Sequence, residues 1–236
     1  MKVFLTTLAL SISTILSGYS QCNNPFYNMK EGRFYEHSSY NGKDKLEAKS
    51  QYTIREVNNI DDGYEAVLAI KAMDKKDKLV AETETVIRCV DNVLQLDFER
   101  MLNSMAEMQN VEGAEVKVEG DHIIIPPTLN VGDQLPDSHT VLTIQLGETN
   151  IGQSATDITM SNREVVGQEE ITTPAGTFTC YKITHDMNVE MKIMGMTRAR
   201  SSKGAEWLAE DVGIVRSEQY NDKGKLTSYT VLTDAE

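Results

Sequence analysis

Apolar and polar residues alternate along most of this chain. In Tyr64–Asp74, residues Tyr64, Ala66, Leu68 and Ile70 fall on one face. In Leu79–Cys89 the same is true of Leu79, Ala81, Thr83, Thr85, Ile87 and Cys89, with Glu82, Glu84 and Arg88 opposite. A period of two marks a strand with one buried face. Further strand-like stretches cover 32–41, 47–58, 121–125, 139–147, 156–167, 177–193, 197–209, 213–220 and 226–233. Strands this numerous, joined mainly by short connections, predict an antiparallel sheet.

Three of the connections resemble one another: NGKDKL at 41–46, DKKDKL at 74–79 and NDKGKL at 221–226. Asn, Asp and Gly tolerate the left-handed backbone of tight hairpins, and lysines keep the tips soluble. One or two carboxylates per tip would chelate a metal poorly, so the three stretches read as turns. Pro174-Ala175-Gly176 suits a fourth reversal, between strands ending near Ile171 and starting near Thr177.

One segment departs from the pattern. In DFERMLNSMAEMQ (97–109), Phe98, Met101, Leu102, Met105 and Met108 recur at helical spacing behind Asp97, a plausible cap. The expected fold is therefore mainly β: a highly curved antiparallel sheet, an open or half barrel, wrapping one amphipathic helix. IPPTLNVGDQLPDS (125–138) is a connector punctuated by Pro and Gly, too short to mark a domain boundary.

The start of the chain adds a compartment. Lys2 followed by the apolar run Val3–Leu16 reads as a secretory signal peptide. The run is too short for a retained span, which wants nearly 20 apolar residues. Gly18 and Ser20 supply small residues for cleavage after Ser20. Gln21 and Tyr19 fit poorly the pattern that would lipidate Cys22. The expected organisation is a signal peptide over 1–20 and one β-rich envelope domain over 21–236, periplasmic or secreted rather than anchored at Cys22. That domain is long enough to bury a substantial core without metals. A formal net charge of −13 repels phosphate backbones and argues against a nucleic-acid partner.

Three cysteines, Cys22, Cys89 and Cys180, in an oxidising compartment suggest one disulfide and one thiol left over. Cys22–Cys89 is the favoured pair, because a flexible N-terminus gains most from being pinned.

Catalytic signatures are missing. His37, His122, His139 and His185 are scattered, and no nucleophile elbow, zinc-protease, phosphate-loop or paired-cysteine motif occurs. Carboxylates are plentiful enough for an acid/base hydrolase pair, but abundance is weak evidence. A single Trp and 6% aromatics also speak against a sugar-stacking cleft. No cofactor is expected. The methionine trios Met101, Met105, Met108 and Met187, Met191, Met194 could offer thioethers to Cu(I). Packing in the core, or lining of a hydrophobic cavity, explains them more simply.

From residue 22 onward the chain resembles a family of exported Gram-negative envelope proteins of unknown function, a domain-of-unknown-function group sometimes labelled TapB-like. The matching stretches are CNNPFYNMKEG (22–32), SSYNGKDKL (38–46), LNVGDQLPD (129–137), TTPAGTFTCYKI (172–183) and EWLAEDVGIVRSEQYNDKGKLTSYTVLT (206–233). The resemblance implies a fold similar to lipoprotein-carrier half barrels of the LolA/LolB type, with structural cysteines at Cys22, Cys89 and Cys180. It supplies no catalytic residues.

The expected role is non-enzymatic. A half-barrel cavity beside Phe98, Met101, Met105 and Met108 would hold a lipid or other hydrophobic or amphiphilic molecule. The competing expectation is an interaction or structural protein with a filled core that contacts an envelope protein.

Overall fold

The computed structural model describes residues 22–97, 114–146, 154–193 and 196–236. Fourteen strands occur among them: β1 (Phe34–Asn41), β2 (Leu46–Ile60), β3 (Gly63–Asp74), β4 (Leu79–Val90), β5 (Val93–Leu96), β6 (Ala114–Gly120), β7 (Ile123–Ile125), β8 (Gln134–Leu135), β9 (Ser138–Leu146), β10 (Ser154–Thr173), β11 (Gly176–Ile193), β12 (Met196–Ala209), β13 (Gly213–Asn221) and β14 (Leu226–Ala235). They form one sheet in the order β6-β9-β10-β11-β12-β13-β14-β1-β2-β3-β4-β5-β7, with β8 paired beside β10. Every pairing is antiparallel. The strand order is open, with β6 at one edge and β7 at the other.

The sheet nonetheless folds back on itself. Leu94 and Ile125, near one end of the strand order, share a core with Val165, Ile183 and Leu208, near the other. The tie is also polar: Arg163 on β10 donates from Nη1 to the carbonyl of Ile124 on β7 at 3.2 Å. A second core gathers Tyr35, Cys180, Trp207, Val215 and Leu232. The mainly β, antiparallel architecture agrees with the alternation in the sequence. The expected wrapping helix falls on 97–109, of which all but Asp97 lies outside the described residues.

The three similar tips are hairpins built alike. Asn41, Asp74 and Asn221 each accept two backbone N–H bonds on their side-chain oxygen, from the residues two and four further on. The third residue after each lies in the left-handed region: Asp44 at φ 57°, Asp77 at 61°, Gly224 at 73°. A one-residue bulge follows in each ladder, at Ser39/Tyr40, Ala72/Met73 and Gln219/Tyr220. The Asx side chain satisfies donors that a tight turn would otherwise leave bare. Pro174 and Ala175 close the β10–β11 hairpin, with Thr173 paired to Gly176.

Candidate functional site

The chain enters the fold as a strap. Cys22 and Cys89 are disulfide-bonded, with Cα atoms 5.8 Å apart. Two residues on, the Asn24 amide donates to the carbonyls of Asn92 and Ile125 at 3.1 and 3.0 Å. Phe26 is buried in the first core, edge-on to Tyr181 with ring centres 5.9 Å apart. Tyr27 bridges to Val212 in antiparallel fashion. Gly213 makes room for it: a Cβ there would stand 2.3 Å from Tyr27 Cε1, at φ +74°. An oxidised cysteine, a buried amide and an aromatic ring therefore fix a short stretch of non-sheet chain against the sheet.

Beyond the strap lies a cavity of about 370 Å³. Tyr27 and Met29 border it from the strap, and Ile54, Leu68, Ile70 and Ile87 from β2, β3 and β4. Leu96, Asp97, Ile123 and Ile214 complete the apolar wall and bring its one carboxylate among the described residues. This size falls within the usual range for small-molecule sites, roughly 300–1,000 Å³.

Several lining residues carry polar groups, and most of the polar groups described are engaged. Ser39 and Thr230 hydrogen-bond each other at 3.0 Å. Thr85 donates to the Asp97 carbonyl at 3.4 Å, and the Asp97 carboxylate stands 3.8 Å from Arg88. His37 differs. Its Nε2 lies 2.8 Å from the Ile214 carbonyl, and a carbonyl only accepts, so Nε2 carries the proton and Nδ1 is an acceptor. Nδ1 is buried and has no partner among the described residues. Burial lowers the His37 pKa, so the ring is neutral. Tyr52 packs edge-on to it at 5.5 Å, and burial raises that phenol's pKa. Burial, with the Glu206 carboxylate adding to it, raises the Tyr27 pKa as well. At neutral pH the wall is thus a largely apolar surface with neutral phenols and, just beneath it, a buried imidazole acceptor without a partner among the described residues.

A second buried polar group lies along the same sheet. His185 on β11 stands opposite Gly204 on β12, and Glu206 on β12 is opposite Ser217, which lines the cavity. His185 and Arg163 are both buried. Arg163 donates to the carbonyls of Ile124 and Pro136. Burial lowers the His185 pKa and Arg163 pushes the same way, against Glu206 and Asp186.

Of the residues expected to line a cavity, Phe98, Met101, Met105 and Met108 all lie outside the described residues. The wall that is described ends at Leu96 and Asp97, directly before them. No motif in the sequence marks His37, Tyr52 and Met29 as site residues. Tyr35, His37 and Ser39 alternate along β1, and Ser50, Tyr52 and Ile54 along β2. Only the register, which pairs Tyr35 with Tyr52 and His37 with Ser50, brings the two sets together. Cys180 is buried and free. Burial, with the neighbouring Glu169 charge, raises its thiol pKa to about 11.

The model of the DUF3108-like family matches residues 30–232. The chain belongs to that family. A Bacteroides fragilis protein inferred to be exported, and described as having a YmcC-like fold, is 28% identical. The match covers 90% of this chain and 99% of that one, with a TM-score of 0.69. An inferred lipoprotein of Parabacteroides distasonis shares the fold at 23% identity and a TM-score of 0.68, over 90% of this chain and 99% of its own. Neither is described as a lipoprotein carrier. No curated protein matches. Both solved structures share this fold over 90% of the present chain, and the cavity is the feature of this chain that calls for a function.

Proposed function

We propose that this DUF3108-like chain is exported to the cell envelope and holds a small amphiphile there without transforming it. The Val3–Leu16 run after Lys2 and the exported character given to the Bacteroides relative support export. The observation that carries the binding role is the cavity itself: about 370 Å³, apolar in most of its wall, with His37 Nδ1 as an uncommitted acceptor. Such a site favours a molecule with a hydrocarbon body and one hydroxyl or amide donor. Burying the body supplies about 25 cal/mol per Å². A donor on Nδ1 relieves the desolvation of that atom, worth about 1–3 kcal/mol.

The test is native mass spectrometry on protein gently extracted from its own envelope, beside the cavity-filling variant Ile70→Trp. A lipid-sized adduct on the wild type that is lost on denaturation, and absent from a folded Ile70→Trp, supports the reading. A bare wild-type mass overturns it and favours a protein that contacts an envelope partner.

A further inference from the structure

We infer that the β11–β12 ribbon is a docking surface for an anionic lipid bilayer. Strand β12 outruns its neighbour: its last pairing with β13 is Ser202 to Asn221, so Met196–Ser201 pair with β11 alone. All six of those residues are exposed. Directly paired residues on neighbouring strands share a face, and alternate residues of one strand share it too. The pairs Val189–Arg200, Met191–Arg198 and Ile193–Met196 therefore place four apolar side chains beside two arginines. Met191, Ile193 and Met196 are 42%, 43% and 64% exposed, which is unusual for side chains that gain from burial.

Charge identifies the occupant. The chain carries a formal net charge of −13, yet the charged groups on this face, among the described residues, are the cations Arg198 and Arg200. Glu190, Lys192 and Thr197 alternate onto the opposite face, where Lys192 and Glu190 pair at 3.0 Å. Among the described residues no carboxylate pairs with Arg198 or Arg200. Apolar side chains at the end of a ribbon, bordered by guanidinium groups that pair with no carboxylate among the described residues, match the interfacial zone of a bilayer. The apolar groups enter the acyl boundary and the cations stay at the phosphates. The same two arginines resist edge-to-edge pairing with a second copy, because they would meet each other.

The test is flotation of the mature protein with protein-free vesicles of phosphatidylglycerol and phosphatidylcholine, against phosphatidylcholine alone. The mixed vesicles should carry the protein, with binding that weakens as salt rises. Arg198→Glu with Arg200→Glu should lower partitioning at least about tenfold, and Arg198→Lys with Arg200→Lys should retain it. Met191→Ser with Met196→Ser should weaken binding while leaving the melting temperature unchanged. Equal binding to neutral vesicles overturns the inference, as does no binding or full binding by the glutamate variant. Capture of the protein only by a delipidated acidic protein overturns it too. A failure here leaves the cavity reading untouched, because none of these residues lines the cavity.

Discussion

His37 donates from Nε2 to the Ile214 carbonyl across 2.8 Å, and that one bond sets the chemistry of the cavity wall. It joins β1 to β13 and fixes the imidazole tautomer, so that the second nitrogen is an acceptor in a ring bordering the cavity. His37→Phe keeps an aromatic ring at the position and removes both functions. It should cost about 1 kcal/mol of stability for the lost bond. It should also weaken retention of a donor-bearing amphiphile more than that of a plain hydrocarbon of equal length. Denaturant titration and competitive adduct counting by native mass spectrometry check the two halves separately.

Acid should destabilise the fold before its carboxylates titrate. Burial lowers the pKa of both His37 and His185. Each therefore binds its proton more readily when unfolded, near the ordinary value of about 6.5. Their contribution is fully present above that value and is lost as pH falls through and below it. Asp74 and Asp186, whose pKa values are lowered by their hydrogen bonds, respond only at lower pH. Urea midpoints should decline from pH 6.5 to 5, and His185→Gln should flatten the decline. A midpoint constant over that range would contradict the assignment.

The Cys22–Cys89 bond spans a sequence separation of 67. On the chain-entropy view, closing a loop of that size is worth about 4 kcal/mol. Reductant or Cys22→Ser should lower the melting temperature of the whole sheet, since Phe26 and Asn24 are seated by the same strap. Cys180 should stay unlabelled by iodoacetamide until the protein unfolds, because it is fully buried and its thiol is held at about 11.

Gly213→Ala should be disproportionately costly. A left-handed alanine costs about 1–2 kcal/mol, and displacing the Tyr27 ring adds about 1–3 kcal/mol as overpacking. Gly224→Ala, in an open hairpin tip with nothing within 4 Å, should cost only the first of these. Comparing the two melting temperatures separates backbone strain from loss of the Tyr27 seat.

Much of the sheet could be read from the sequence because its signals are local. Alternation in 64–74 and 79–89 needs no partner strand, and the Asn and Asp of three tips act within four residues of themselves. The short strand β5 was harder to see. Val93–Leu96 offers too few residues for a period, although Asp91 and Asn92, both at positive φ, form the two-residue turn that announces it. The site was less legible still. His37, Tyr52, Ile70 and Ile214 come from four strands, and nothing in their separate neighbourhoods reveals that a bulge at Glu36/His37 and a returning strap enclose a common space. The Met-rich stretch, by contrast, carries a helical spacing that is visible within a dozen residues.

The most direct measurement is methyl NMR on protein carrying the molecule it retains from its own envelope. Intermolecular NOEs from the apolar protons of that molecule to the methyl groups of Met29 and Ile70, with a shifted His37 Nδ1 resonance, are the result expected for a cargo in the cavity. A stoichiometric adduct whose NOEs fall elsewhere, with those signals unmoved, would contradict it.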